Sequence, residues 1–194
     1  MSETLGTTLD RILRRLKRPE KSADGIDAIN DAIELATITG NFARDVVESS
    51  LAIDGTVYAQ SIVTSASFTR FRKVKYLRPS SYKRQLHFVE STRIFDRNGN
   101  ESVDAFYVAG TNIVFKLSSY QTLMYYGYYQ YPTLLVADGD THWMLDQMQS
   151  VIRDMALGEL FAGIGNDAEA ARYTAIGMAR LLAHISDKRD LVEA

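Results

Sequence analysis

The chain has 194 residues, with 22 basic and 24 acidic side chains, a formal charge of −2 and no cysteine. This length suits one domain of ordinary size with room for an insertion, and it buries a sufficient core without a disulfide or a metal. The lack of cysteine excludes disulfides, thiolate metal sites and cysteine nucleophiles, and the near-neutral charge gives no overall attraction to nucleic acid or membranes.

Two helices are predicted at the start of the chain. Leucine and isoleucine recur with helical spacing from Leu5 to Leu16, and Thr4 or Thr7 is the candidate N-cap. A second helical pattern runs from residue 22 to about residue 38, with Ser22 or Asp24 as its cap, and Gly40-Asn41 supplies a stop suited to positive φ.

The period changes to that of strands between residues 42 and 132, where β-branched and aromatic residues dominate. Strands are predicted near residues 44–53, 56–63, 69–77, 84–95, 105–116 and 122–131. Asp54-Gly55 predicts a hairpin-type turn between the first two strands, and Asn98-Gly99-Asn100 predicts a turn after the fourth. Gly110 and Asn112 divide the fifth segment into a short hairpin.

Helices return at the end of the chain. One is predicted from about residue 141 to residue 161, and Asp138 and Asp140 are predicted to serve as its N-caps and to suit its dipole. Another is predicted from about residue 167 to residue 184, and its regularly spaced alanines predict close packing on the preceding helix.

The order of these elements predicts an α+β fold. The two N-terminal and two C-terminal helices are expected to form one helical core from residues 1–41 and 133–194, and residues 42–132 are expected to form an inserted antiparallel β-domain.

No catalytic, metal or cofactor site is predicted. The three histidines, His87, His142 and His184, have no metal-ligand spacing, no serine lies in a nucleophile elbow, and no glycine-rich loop fits a phosphate. We therefore expect neither an enzyme nor a cofactor. The first ten residues do not match a signal peptide, and no apolar run approaches a membrane span, so the protein is expected to be soluble.

The most unusual charge feature lies between Arg70 and Arg84, which holds seven basic residues and no acidic one. The rest of the chain has 15 basic and 24 acidic residues, a net charge of −9. We favour a protein–protein interface for this segment, while a solvated strand and a nucleic-acid surface remain alternatives. The candidate partner-binding residues of this segment are Arg70, Arg72, Lys73, Lys75, Lys83 and Arg84.

Strict alternation along that strand would put charges on both of its faces. The two expected sets are Arg70, Arg72, Val74 and Tyr76 on one face, and Phe71, Lys73, Lys75 and Leu77 on the other.

The last predicted strand is dense in tyrosine. Alternation places aromatic side chains on both faces of this strand. One face has Tyr125, Gly127, Tyr129 and Tyr131, and the other has Met124, Tyr126, Tyr128 and Gln130. This pattern predicts a strand covered on both sides, either at the centre of a sheet within one subunit or in an oligomer contact.

The order of these parts resembles the head–tail connector adaptor proteins of tailed bacteriophages, which dock under the portal ring. The resemblance covers most of the chain and rests on the N-terminal helical pair and on five later segments. These segments are a Phe-Arg-x-Val-x-Tyr-Leu strand at 71–77, a Tyr-Tyr-x-Tyr-Tyr-x-Tyr-Pro strand end at 125–132, the helix start Thr-His-Trp-Met-Leu at 141–145, the helix at 152–161 and the final helix at 168–184.

The resemblance implies a structural protein of the virion neck, made in the bacterial host cytoplasm. It implies a ring, typically of twelve copies, that binds the portal on one side and a tail, nozzle or stopper protein on the other, and that serves DNA retention and genome ejection. DNA would pass through the lumen without specific binding, and no membrane is involved. The family's C-terminal segment reaches toward the portal, which implies contacts by Lys188, Arg189, Asp190 and Leu191. The alternative is a small nucleic-acid-binding module that uses the strand at 70–84.

Overall fold

The computed structural model describes residues 3–91 and 103–190, and of residues 188–190 it describes the backbone alone. The chain divides into two compact units, a helical unit of residues 1–41 and 132–194 and a β unit of residues 42–131. The described strands lie in the β unit and all but one short described helix lie in the helical unit, so the protein is α+β, which confirms the predicted fold class.

The described α-helices are α1 (Leu5–Leu16), α2 (Ser22–Gly40), α3 (Thr64–Ser67), α4 (Trp143–Gln147), α5 (Gln149–Gly163) and α6 (Asp167–Asp190). The described strands are β1 (Val46–Ala52), β2 (Ala59–Val63), β3 (Phe71–Pro79), β4 (His87–Phe88), β5 (Ala105–Ala109), β6 (Asn112–Lys116) and β7 (Leu123–Gln130). The short helix α3 belongs to the β unit, and the other five helices form the helical unit.

Helix α1 begins at a reciprocal cap between two threonines. The Thr4 hydroxyl accepts a hydrogen bond from the Thr7 N–H at 3.3 Å, and the Thr7 hydroxyl accepts one from the Thr4 N–H at 2.9 Å. The next free N–H, that of Leu5, donates to the carbonyl of Asp140 at 2.9 Å. The first turn of α1 is thus tied to the loop before α4, because its orphan donors find partners there.

Helix α2 ends as predicted and begins differently. Asn41 adopts a left-handed conformation with φ of 47°, and its N–H donates to the Thr37 carbonyl. Neither Ser22 nor Asp24 caps the start, because the 3₁₀ turn Pro19–Lys21 leads directly into the helix and Ser22 is its first residue.

The predicted helix at 141–161 is two helices, separated at Met148, whose φ of −127° is not helical. The prediction that Asp138 and Asp140 cap it is wrong. His142 is the N-cap of α4, and its Nδ1 accepts from the Met144 N–H at 3.3 Å. The Asp140 carboxylate instead accepts from the N–H groups of Val136 and Ala137, and these hydrogen bonds lower the pKa of Asp140.

Helices α5 and α6 pack closely along their length, as the small residues predict. A β-carbon on Gly158 would lie 2.4 Å from the Thr174 hydroxyl, and one on Gly177 would lie 2.6 Å from the Met155 side chain. Each helix therefore contributes a glycine where the other helix crosses it, and side chains of ordinary size do not fit there.

The β unit contains two sheets. The strand order is β1-β7-β3 in the three-stranded sheet and β2-β6-β5-β4 in the four-stranded sheet. All pairs are antiparallel except β4 with β5, which is parallel and departs from the predicted antiparallel domain. Of the strand predicted at 84–95, residues 84–91 are described and form a strand only at 87–88, while residues 92–95 and the turn predicted at 98–100 lie outside the described residues.

Asp54 and Gly55 do not form the predicted hairpin, because β1 and β2 belong to different sheets. The Asp54 carboxylate accepts hydrogen bonds from the hydroxyl and the N–H of Thr56 at 2.7 and 2.9 Å, which lower the pKa of Asp54. This local Asx-type turn connects a strand of one sheet to a strand of the other. A turn sequence such as Asp54-Gly55 therefore does not show that the two strands beside it pair with each other.

The two sheets share one apolar core. It contains Leu77, Met124, Tyr126 and Tyr128 from the three-stranded sheet and Ile62, Phe106, Ile113 and Phe115 from the four-stranded sheet. Strand β7 is the central strand of its sheet, in agreement with one of the two predicted placements. However, the described structure covers only one face of it fully, since Tyr125 remains 36% exposed on the other.

Candidate partner-binding surfaces

The basic strand β3 forms an edge of the three-stranded sheet and does not alternate regularly. Its register against β7 shifts between Phe71 and Lys73 and again between Val74 and Tyr76. Each shift inserts one residue and reverses the face of those that follow. The predicted division of this strand into two alternating faces is therefore wrong.

The bulges gather cations and tyrosines on the outer face of the sheet. Lys73 lies opposite Tyr129, Tyr76 opposite Gly127, and Arg78 opposite Tyr125. We call these residues, with Arg72, the cation–tyrosine face.

Cations lie directly over two of these rings. The Lys73 ammonium and the Arg72 guanidinium are each 5.2 Å from the centre of the Tyr129 ring, and the Arg78 guanidinium is 5.3 Å from that of Tyr125. Partial burial lowers the pKa of the Lys73 ammonium, and the nearby Arg72 guanidinium lowers it further. Because the rings already carry cations from this chain, they are poorly placed to stack on nucleic-acid bases.

The centre of the cation–tyrosine face is closed by Tyr76. Its ring covers Gly127, where an added β-carbon would lie 2.5 Å from the ring. Burial and the neighbouring Glu48 carboxylate raise the pKa of the Tyr76 hydroxyl. Glu48 also lies 3.6 Å from the Lys75 ammonium, so one acidic side chain partly balances this basic surface.

A groove of about 370 Å³ lies beside residues 71–75 of the edge strand β3. One wall is the continuous stretch 71–75, and the floor is apolar, with Leu86, Phe88, Phe106 and Val108. Phe88 is 66% exposed and Val108 is 38% exposed. The groove therefore combines an apolar floor with Arg72, Lys73 and Lys75 on its wall. We call it the edge groove.

The helical unit contains a second groove, of about 530 Å³, between α2, α5 and α6. Its lining is mostly small and apolar, and includes Ala32, Leu35, Gly158, Ala162, Ala171 and Ala175. Leu35 is 47% exposed there. We call it the helical groove.

Acidic side chains stand at the helical groove, where Asp31 and Glu159 both contribute to the lining. Desolvation raises the pKa of Glu159, and the neighbouring Asp31 and Asp27 carboxylates raise it further. The groove thus differs in charge from the basic edge groove of the β unit.

The other predicted partner-binding residues are more dispersed. Arg70 precedes β3 with φ of 49°, and Lys83 and Arg84 are exposed in the loop between β3 and β4. Lys188, Arg189 and Asp190 fall in the last residues of α6, where the backbone alone is described, and Leu191 lies outside the described residues. Sequence reasoning missed Phe88 and Val108, since a lone aromatic or valine in a strand carries no signal of a shared groove.

No group of three or more histidine, aspartate or glutamate side chains in residues 3–91 and 103–190 is arranged to hold a metal ion. In the same residues, no helix combines the length and apolar character needed to cross a membrane.

Comparison with known proteins finds no family model and no curated protein that matches this chain.

Proposed function

We propose that this chain is a structural subunit of the head-to-tail connector of a tailed bacteriophage, an adaptor that forms a ring between the portal and the tail. The proposal is supported by the sequence resemblance and by the architecture, in which both ends of the chain build the helical unit and the β unit is inserted between them. The tyrosine-rich segment of that resemblance is the central strand β7, and the Thr-His-Trp-Met-Leu segment is the capped start of α4.

The helical groove is the observation that carries the proposal. Its alanine and glycine lining leaves space along α2, α5 and α6, and the half-exposed Leu35 stands at its side. Small residues let a helix of another protein approach closely, and apolar area is then removed from water. A neighbouring copy fits this role, because a groove that receives a different surface of the next subunit makes a head-to-tail contact, and such contacts form a ring when the rotation between subunits closes.

In this role the protein performs no chemistry. Its ring, of about twelve copies by the resemblance, binds the portal on one side and a tail, nozzle or stopper protein on the other, in the virion neck. DNA is retained by the assembled neck and passes through the lumen at ejection. A lumen lined by part of the acidic excess outside residues 70–84 repels the phosphate backbone and lets the duplex slide.

The test is assembly on portal rings. The purified chain is mixed with rings of the portal protein encoded in the same genome, and the products are weighed by native mass spectrometry and imaged by electron cryomicroscopy. We expect a fixed number of copies per portal ring. Leu35→Glu places a charge in the helical groove and is expected to abolish ring closure. Leu182→Glu is the matched control, because Leu182 is an exposed leucine of α6 outside the groove lining.

Two outcomes contradict the proposal. The first is a portal ring that gains no copies of the wild-type chain under these conditions. The second is full assembly of Leu35→Glu, which would remove the groove from the interface and with it the observation on which the assignment depends.

Nucleic-acid binding is the second candidate function, and one observation favours it. The stretch from Arg70 to Arg84 places seven basic residues on β3 and directly before and after it. Phosphate contacts by such a surface give salt-dependent affinity without base specificity. The positions of Arg72, Lys73 and Arg78 over tyrosine rings count against base stacking and leave backbone contact as the available mode.

A further inference from the structure

The border of the helical groove is acidic, and α2 supplies most of its charge. Helix α2 has no basic residue and four acidic ones, all exposed, which are Asp24, Asp27, Asp31 and Glu34. Asp31 and Glu159 line the groove, and Asp27 stands close enough to Glu159 to raise its pKa. Among the described residues, Asp24 pairs with Lys21 at 2.7 Å, whereas Asp27, Asp31 and Glu159 form no ion pair. A cation that reached these three carboxylates would offset their mutual repulsion.

The rest of the groove lining is mostly apolar. Small residues of α5 and α6, such as Gly158, Ala162 and Ala175, leave space there, and Leu35 borders it. A long basic side chain suits such a site, because its apolar stem lies on the lining while its charged end reaches the carboxylates. Arginine suits it best, since its guanidinium donates to two carboxylate oxygens at once. The chemistry of the groove therefore indicates a basic occupant.

The end of α1 carries the matching charge. Residues 11–18 contain five basic residues, all exposed, and no acidic one, and we call them the basic segment of α1. Of the other described helices, α2, α4 and α5 have an acidic excess, α6 has equal numbers of basic and acidic residues, and α3 has neither. A second copy of this chain therefore brings a helix of the charge that the groove selects.

The ion pairs that the basic segment makes within its own chain are weak. Arg14 lies 3.6 Å from Asp10 with 81% of its side chain exposed, and Arg18 lies 3.2 Å from Glu20 with 57% exposed. Water and salt screen exposed pairs of this kind. Both arginines can therefore exchange these partners for carboxylates of another molecule at little cost.

The basic segment and the helical groove lie on different sides of the helical unit. The Arg15 guanidinium is 5.4 Å from the centre of the Tyr173 ring on α6, and that ring stacks on Phe161 of α5. Neither Tyr173 nor Phe161 lines the groove, because helical spacing turns both away from the residues of α5 and α6 that do. One copy therefore cannot present both surfaces to the same neighbour, and a contact between them is head-to-tail.

We propose that the basic segment of α1 docks into the helical groove of a second copy. Its arginine stems lie on the apolar lining, and its guanidinium groups bind Asp27, Asp31 and Glu159. The contact rests on the proposed ring, in which it joins neighbouring subunits. Because it forms between copies of this chain, it can be measured without the portal.

The stretch at 70–84 is the other concentration of positive charge in a second copy. Several of its cations have partners in their own sheet, since Lys73 and Arg78 lie over tyrosine rings and Lys75 lies near Glu48. Lys83 and Arg84 are exposed in the loop that follows β3. These two residues provide a comparison of equal charge for the basic segment of α1.

Cross-linking tests the position of the contact, because a chain without cysteine accepts one engineered thiol at a chosen site. Asp10→Cys lies one helical turn before Arg14, and Ala162→Cys lies in the groove lining at an exposed position. We expect the two variants, mixed at millimolar concentration under mild oxidation, to form a heterodimer in large excess over either homodimer. A chain with both cysteines is expected to give products larger than a dimer.

Charge reversal tests the chemistry of the contact. Arg14→Glu with Arg18→Glu, or Asp27→Lys with Asp31→Lys, introduced into both cross-linking partners, is expected to lower the heterodimer yield by about tenfold or more. All four changes in one chain are expected to restore the yield, which also shows that the reversed surfaces fold. Lys83→Glu with Arg84→Glu is the matched control and is expected to leave the yield unchanged.

Three results would overturn the proposal. One is no excess of the heterodimer at millimolar concentration, and another is failure of the fourfold variant to recover the yield lost by the double variants. The last is a loss of yield on reversal at Lys83 and Arg84 and none at Arg14 and Arg18, which would make the stretch at 70–84 the occupant of the groove.

The contact and the connector assignment can fail separately. Portal rings that gain copies of the Arg14→Glu and Arg18→Glu variant as readily as wild type would support the connector and contradict this contact. A specific heterodimer from a chain that never adds to portal rings would support the contact and contradict the connector.

Discussion

The carboxylate of Asp154 on α5 is almost fully buried and accepts a hydrogen bond from the guanidinium of Arg180 on α6. Arg153 lies nearby, with its Nε 3.5 Å from the same carboxylate. The pair joins the two helices that form one side of the helical groove. Its removal would therefore disturb the surface on which the proposed assembly depends.

Arg180→Ala is expected to lower the free energy of unfolding by about 2–4 kcal/mol, because it leaves a buried charge with only Arg153 close to it. Thermal denaturation measures the change. Arg172→Ala is the control, since Arg172 pairs with Glu169 on the exposed side of the same helix and should cost below about 1 kcal/mol. The double change Asp154→Leu and Arg180→Met should lower the free energy of unfolding less than Arg180→Ala does, because it leaves no buried charge without its partner. If the two arginine variants are equally stable, the buried pair does not fasten these helices.

Gly158→Ala is expected to destabilise the helical unit by about 1–3 kcal/mol, because the added methyl group meets the Thr174 hydroxyl and forces α5 and α6 apart. Gly163→Ala at the end of the same helix has open space around it and should be neutral or slightly stabilising. Chemical denaturation distinguishes the two variants. Equal stability of Gly158→Ala and wild type would show that the helices can separate without cost.

Gly127→Ala tests the contact of Tyr76 with the bare backbone of β7. Alone it is expected to cost about 1 kcal/mol, since the methyl group displaces the Tyr76 ring. In a Tyr76→Ala background the same change should be neutral or favourable, because alanine suits a strand better than glycine. A double-mutant cycle from urea denaturation gives the coupling. A coupling near zero would mean that Tyr76 does not rest on Gly127.

Glu159→Gln tests the acidic side of the helical groove by its pH dependence. The pKa of Glu159 is raised above its usual 4.5 in the folded protein, so the folded state keeps this proton to a higher pH than the unfolded chain. The contribution of Glu159 to stability is therefore present at low pH and is lost as pH rises from about 4.5 through the raised value.

We accordingly expect Glu159→Gln to melt about 1–2 °C above wild type at neutral pH, an effect on the order of 0.5 kcal/mol at this exposed rim, and to match it below pH 4.5. Melting curves from pH 4 to pH 8 supply the comparison. Glu169→Gln, on the exposed start of α6, is the control and should not show this trend. If Glu159→Gln is less stable than wild type at neutral pH, the pKa of Glu159 is not raised in the folded protein.

Binding to DNA separates the two candidate functions. For the connector subunit we expect a Kd of about 10 μM or weaker for short duplex and single-stranded DNA near 150 mM salt, in the range of non-specific binding. Tighter binding that Lys73→Glu and Lys75→Glu together abolish would favour the nucleic-acid module. Arg172→Glu on the helical unit is the comparison, because each of these substitutions changes the net charge by the same amount and only its position differs.

Much of the helical unit could be predicted from the sequence, because its information is local. The spacing of leucines in α1 and the stop at Gly40-Asn41 depend on neighbouring residues, and both agree with the structure. The cap of α4 could not be predicted in this way. Asp140 is a good N-cap by residue type, but its carboxylate bonds to the loop before the helix, and His142 takes the cap position.

The β unit was predicted less well, because strand pairing is not local. Asp54-Gly55 has the chemistry of a hairpin turn, and yet β1 pairs with β7, more than seventy residues away in sequence. The two bulges in β3 change which cations share a face with the tyrosines, and no residue type in that strand predicts the bulges. The edge groove is lined by residues of β3 and of β4 and β5 in the other sheet, whose proximity only the assembled fold reveals.

The pairing of β1 with β7 also means that the β unit is entered and left on adjacent strands, with Val46 opposite Tyr129. A segment whose two ends meet can be lengthened, shortened or exchanged as one cassette without breaking the chain order of the helices around it. Selection for binding to a partner of the β unit can thus change the sequence of the β unit while the sequence of the helical unit stays constant.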